Sequence, residues 1–168
     1  MTPEKEALVL ALVWYPGRPP SLSPKAFLKR YGAKDGVQLG LDLLNDAFIR
    51  QDAGDVELAL VVCSVFEMSS RHLDLLIRLA FADWHVTHEG VVRNLQKIKP
   101  PASAIPALVH LAKWVPDYLE YDEFRALATN AIWALGTIDG PEARMALESL
   151  THDSDDIVSS GARHQLER

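Results

Sequence analysis

Apolar positions recur along this chain at helical spacing, and the gaps between the apolar runs carry helix punctuation. Thr2-Pro3-Glu4 reads as an N-cap, a proline at the first helical position and a first-turn acid, so the apolar run from Ala7 to Trp14 belongs to a first buried helix. Ser23-Pro24 opens a short helix that ends at Gly32. Asp35 precedes Val37, Leu41, Leu44 and Phe48, which fall on one helical face. Gly54-Asp55 starts a helix running to about Met68 through Leu58, Val61, Val62 and Val65. Ser69-Ser70 caps one carrying Leu73, Leu76, Ile77 and Ala80, and Thr87 caps one carrying Val91, Val92, Leu95 and Ile98. Pro100-Pro101 breaks that helix, and Ser103 opens the next, with Pro106 in the tolerated first turn. Asp122 caps a helix through Leu127, Ala131, Leu135 and Ile138; Gly140-Pro141 punctuates again; and Asp153 to Asp155 cap a last helix with Ile157, Val158, Ala162 and Leu166. The pattern predicts an all-α chain of about ten helices joined by short turns, with almost no strand signal.

The pattern also repeats. Asn94-Leu95-Gln96-Lys97-Ile98-Lys99-Pro100-Pro101 is answered 40 residues later by Ala134-Leu135-Gly136-Thr137-Ile138-Asp139-Gly140-Pro141. Ala107, Leu108 and Leu111 pair with Ala146, Leu147 and Leu150 at an offset of 39. A step of 33 back from Leu95 and Ile98 reaches Val62 and Val65, and a step of 31 forward from Ala131 and Leu135 reaches Ala162 and Leu166. Self-similarity at this period predicts an α-solenoid of stacked antiparallel helix pairs. The unit is 31–33 residues, so the 40-residue step holds a surplus, which falls in Lys113-Trp114-Val115-Pro116-Asp117-Tyr118-Leu119-Glu120-Tyr121-Asp122. Insertions in a solenoid map to loops, often on the working face.

Asn130-Ala131-Ile132-Trp133-Ala134-Leu135-Gly136-Thr137-Ile138-Asp139-Gly140-Pro141-Glu142-Ala143 resembles the HEAT repeat, in the variant named after phycobilisome lyases. Ala146-Leu147-Glu148-Ser149-Leu150 and Asp153-Ser154-Asp155-Asp156-Ile157-Val158 continue the likeness. The resemblance implies a single HEAT-like domain over residues 1–168, clear over 88–168 and followed only in periodicity over 1–85. One position departs from it: the arginine this family carries just after the Val158 position is Ser159 here, which puts the family's Asp–Arg ladder between repeats in doubt. Such a motif is specific for fold and nearly silent on function.

Composition narrows the function classes. Hydrophobic residues make up 48% of the 168, ample for a core, and charged residues 24%. The net charge of −6 argues against life on a phosphate backbone, which needs a basic face. A single cysteine, Cys63, cannot form an internal disulfide and fits a reducing, cytoplasmic compartment. The Ala7–Trp14 run is far short of a membrane span. It is flanked by Glu4 and Glu6, and Pro16-Gly17-Arg18-Pro19-Pro20 follows where a signal peptide would carry a small-residue cleavage site.

Candidate chemistry is sparse. Asp83-Trp84-His85-Val86-Thr87-His88-Glu89 is the densest set of potential ligands, but no second ligand pair at zinc spacing accompanies it, so no metal or cofactor is expected. Cys63 lies between Val62 and Val65 on an apolar helix and reads as a small core residue. No Gly-rich phosphate loop, Gly-x-Ser-x-Gly elbow or His-Glu-x-x-His is present, and no catalytic residue is assigned. Trp133 falls in the inward pattern of its repeat and reads as core. Lys25, Lys29, Arg30 and Lys34 form a basic stripe along one short helix, the usual mark of a solvated face. Trp114, Tyr118 and Tyr121 interleave with Asp117, Glu120 and Asp122 in the surplus segment, a composition suited to a basic, partly apolar partner; Trp84 and His85 join them as candidate contacts.

The expectation is a non-enzymatic protein-binding or scaffold module acting through a solenoid surface and the acidic aromatic segment 115–122, with another protein as partner and neither nucleic acid nor membrane. One alternative within this class is an immunity protein that neutralises a bacterial toxin. Another is a HEAT-like DNA glycosylase, for which Asp83 and Trp84 supply the residue types and the acidic balance does not. Nothing marks the tetrapyrrole site that a bilin lyase needs.

Overall fold

The computed structural model describes residues 1–123 and 125–168. Among them are ten α-helices and no β-strand: α1 (Pro3–Leu10), α2 (Pro24–Tyr31), α3 (Gly36–Arg50), α4 (Ala53–Val65), α5 (Leu73–Ala80), α6 (His88–Lys97), α7 (Ile105–Lys113), α8 (Ala126–Leu135), α9 (Pro141–Leu150) and α10 (Asp156–Leu166). Short 3₁₀ turns cover Ser70–His72, Ala102–Ala104 and Asp117–Leu119. No helix is long and apolar enough to cross a membrane among the described residues.

Several starts follow the capping chemistry of the sequence. A side-chain oxygen on the residue before a helix takes one of the first-turn N–H groups that have no partner inside the helix. Thr2 accepts from Lys5 N–H, Ser23 from Ala26, Asp35 from Val37 and Gln38, and Asp155 from Ile157 and Val158. Gly32 ends α2 in the left-handed region at φ 81°. Other boundaries differ from expectation. Helix α1 stops at Leu10, well short of Trp14, because the chain turns there into a tight antiparallel bridge between Tyr15 and Arg18. Helix α4 is capped by Asp52, whose Oδ1 accepts from Asp55 N–H at 3.0 Å, and it ends at Val65 rather than Met68, with Glu67 at φ 75°. Thr87 makes no side-chain cap to α6, because its hydroxyl and amide are turned toward His85.

The chain divides into two compact units, Met1–Leu75 and Leu76–Arg168. In the first, Val9, Leu12, Leu22, Phe27 and Val62 form a buried cluster. Phe27 lies 5.2 Å from Tyr31 and 5.7 Å from Phe66, ring centre to ring centre. Helices α3 and α4 meet closely where Gly40 faces Cys63: a methyl on Gly40 would stand 2.9 Å from Sγ and 3.3 Å from the Cys63 backbone. Cys63 is fully buried, and that burial pushes its thiol up to about 12, so it is a neutral packing residue.

In the second unit α8 is central, packed against α6, α7, α9 and α10. Its apolar face, Leu127, Ala128, Ala131, Ile132, Ala134 and Leu135, is almost wholly buried. Gln96 on α6 donates from Nε2 to the Asn130 carbonyl of α8 at 3.0 Å. Arg125, in the left-handed region at φ 47°, is held by its own side chain, which pairs with the Asp155 carboxylate and reaches the Ala112 carbonyl. The same Asp155 caps α10, so this ion pair links the start of α8 to the start of α10. Trp133 is 43% exposed rather than core: its ring lies at the surface, with the Arg168 guanidinium 4.7 Å above it and His164 alongside at 6.1 Å.

Gly136 shows why the Ala-Leu-Gly step needs its last residue. Its backbone is ordinary αR, so the requirement is one of space: a Cβ there would stand 2.2 Å from Oε1 and 2.9 Å from Cδ of Gln165, which is buried on α10. Gly136→Ala is expected to cost about 1 kcal/mol in denaturant unfolding, the low end for small-to-large changes, because the obstacle is the end of a flexible side chain that can shift. The double variant Gly136→Ala, Gln165→Ala should recover most of that loss. An equal loss in both would show that Gln165 is not the obstacle.

Candidate interaction site around the histidine pair

The surplus segment sits on a compact cluster of rings in the second unit. At its centre His85 and His88 stack, centroids 4.0 Å apart and planes 18° from parallel, with exposures of 1% and 0%. The two imidazoles do the same local job. His85 Nε2 bonds to the Leu79 carbonyl at 2.9 Å, and His88 Nε2 to the Ala82 carbonyl at 2.7 Å, each reaching back six residues, to the last turn of α5 and to the turn just beyond it. These carbonyls lie where a helix runs out of internal donors. A carbonyl only accepts, so Nε2 carries the proton in both rings and each Nδ1 is left as an acceptor. His85 Nδ1 accepts from the Thr87 amide at 3.1 Å. His88 Nδ1 accepts from the Tyr118 hydroxyl at 2.8 Å.

Both rings are therefore neutral and fully bonded. Burial lowers the His85 pKa; burial first, then the neighbouring His85 and the nearby His110, pushes His88 down to about 4. Burial raises the Tyr118 phenol, consistent with a hydroxyl that keeps its proton and donates it. The surrounding rings complete the cluster. Trp114 meets His88 edge-on at 4.8 Å, His110 stacks on Trp114 at 5.3 Å, Phe81 lies against His110 at 5.0 Å, and Trp84 meets His85 edge-on at 5.2 Å.

The segment from Val115 to Asp122 is thus a docked strap rather than an open loop. It carries a 3₁₀ turn over Asp117–Leu119, and Pro116 is buried. Asp122 anchors its far end, with Oδ2 accepting from Ala126 N–H at 2.8 Å at the start of α8. Between the Tyr118 anchor and the Asp122 cap, Tyr121 is 90% exposed, and Asp117, Glu120 and Glu123 face solvent around it.

The candidate contacts named on sequence grounds therefore separate by role. Tyr121, Asp117 and Glu120 are at the surface. Tyr118 and Trp114 are partly exposed and hold the strap to its base, and Trp84 is half-buried against His85. Asp122 is a half-buried helix cap. His85 is interior, sealed by Leu79, Thr87, Trp84 and His88, and offers nothing to a partner. Sequence reasoning missed His88 as the strap's anchor, and with it Phe81 and His110 as part of the same ring surface. The His85-x-x-His88 spacing was visible, but only as a ligand motif. Among the described residues no group of three or more His, Cys, Asp or Glu side chains is placed to hold a metal ion. No protein-family model, curated protein or solved structure matches the chain.

Proposed function

We propose that this chain is a non-enzymatic protein-binding module that recognises a basic, partly apolar partner through the acidic aromatic strap 115–122. The observation that carries the reading is Tyr121, 90% exposed among Asp117, Glu120 and Glu123 on a segment tied down at both ends by Tyr118 and Asp122. A large ring carried on backbone that is tied down on both sides spares the ordering of that backbone on binding, and tyrosine is enriched among residues that dominate interface energies. Surrounding carboxylates favour a cationic partner and speed its approach. The stacking of α6, α7, α8, α9 and α10, with the close approach at Gly136, supports a HEAT-like solenoid as the scaffold, and a cytoplasmic setting fits the lone buried thiol. An immunity protein that neutralises a basic toxin would be one member of this class.

The test is to use the whole chain as bait, identify a partner that co-purifies, and measure its affinity for variants. Tyr121→Ala, and separately Asp117→Lys with Glu120→Lys, should each weaken binding about tenfold or more. Asp122 is left in place because it caps α8. Unchanged affinity in both variants would place the binding surface elsewhere.

A further inference from the structure

The first unit carries a second surface feature, unrelated to the strap. After α1 the chain makes a tight hairpin: Tyr15 N–H donates to the Arg18 carbonyl at 3.1 Å and Arg18 N–H to the Tyr15 carbonyl at 2.8 Å, around Pro16-Gly17. Gly17 has φ 77°, as the third position of a type II turn requires. The hairpin is pinned at both ends, since Leu12 and Leu22 are buried in the core and Leu22 N–H donates to the Ala11 carbonyl at 3.1 Å. Folded back in this way, it frames an open groove of about 360 Å³ against the last turn of α1. Known ligand sites start at roughly 300 Å³ and pair apolar walls with a few fixed polar groups.

The lining has that composition. Ala7, Leu10 and Val13 supply an apolar wall, Tyr15 and Ser21 supply hydroxyls, and Arg18 supplies the one charge. Leu10 and Tyr15 of this lining are 44% and 49% exposed, so its apolar surface is open to solvent. The Arg18 guanidinium has no hydrogen bond or ion pair among the described residues, although the chain carries a net charge of −6. A guanidinium is a planar fork of donors matched to a carboxylate.

We infer that this groove binds a small monocarboxylate with an aliphatic body, the carboxylate on Arg18 and the chain along Ala7, Leu10 and Val13. A neutral alcohol of the same length lacks the anion, and a short carboxylate such as acetate lacks the body; each should bind far more weakly. Calorimetric titration of the full chain with octanoate is expected to show saturable one-to-one binding, with octan-1-ol and acetate weaker by about tenfold or more. Arg18→Gln should weaken octanoate by a similar factor, and Arg18→Lys should retain part of the affinity. Both changes leave the hairpin's backbone bonds intact, and an unchanged circular dichroism spectrum would establish that. Absence of saturable octanoate binding overturns the proposal, as does equal affinity in wild type and Arg18→Gln. Neither result bears on the strap, whose variants lie in the other unit.

Discussion

Replacing Leu135 with Asp is expected to abolish cooperative folding of the second unit. Leu135 is fully buried on α8, the helix that touches α6, α7, α9 and α10, so a carboxylate there has neither water nor a cation to stabilise it. Truncating a buried leucine to alanine already costs about 2–5 kcal/mol, and burying an unpaired polar group adds several more. Against a typical native stability of about 5–15 kcal/mol, the sum removes most or all of the margin. Protonating the Asp reduces the penalty without restoring the lost packing. Met145→Asp is the control: Met145 lies on neighbouring α9 but is 66% exposed, and its replacement should change stability by no more than about 0.5 kcal/mol. Thermal and denaturant unfolding by circular dichroism would report both. A cooperative transition near that of wild type in Leu135→Asp would mean that α8 is not the element on which the unit's packing depends.

The contrast between those positions also marks what could be read from the chain. Leu135 belongs to an apolar stripe at helical spacing, and a pattern summed over many residues survives local exceptions. Caps were equally legible where the polar group acts within three residues, as at Ser23, Asp35 and Asp155. Legibility failed where a long-range contact took over a local group. Thr87 has the chemistry of an N-cap, but His85 claims its hydroxyl and amide. Trp133 has the hydropathy of a core residue, but Arg168 and His164 cover its ring at the surface. The candidate site divides in the same way. Length arithmetic located the surplus at residues 113–122, and the exposure of Tyr121 and Glu120 follows from composition. That Tyr118 turns inward to His88 does not follow, because it depends on two imidazoles already used up by carbonyls six residues behind them. The repeat-length surplus places a loop here; one hydrogen bond across thirty residues makes it a fixed one.

The buried imidazole at the base of that hydrogen bond gives the second unit an acid sensitivity with a defined window. The His88 pKa lies at about 4 in the folded chain, below its ordinary 6.5, because the ring is buried and faces His85, with His110 nearby. Between those two values the unfolded chain binds the proton and the folded chain does not, so unfolding takes up protons and stability falls as pH falls from about 6.5 to about 4. Above the window the contribution is complete, and below it this group causes no further loss. A shift of that size corresponds to about 3 kcal/mol, and His85, whose pKa is lowered by burial, adds in the same direction. The other groups around the pair are Tyr118, which keeps its proton throughout, and Glu89, whose charge acts on Tyr118. Protonated His88 would have to turn Nδ1 from acceptor to donor, forcing the Tyr118 hydroxyl to reverse, while two cationic rings stacked 4.0 Å apart repel. The strap should therefore loosen along with the loss of stability, and Trp114, edge-on to His88, sits where fluorescence would sense it. Denaturant unfolding across the window should show the wild type losing more stability than His88→Gln, which cannot titrate; Tyr118→Phe should keep the slope but start from a lower plateau. Parallel profiles for wild type and His88→Gln would show that the buried imidazole does not govern the acid response.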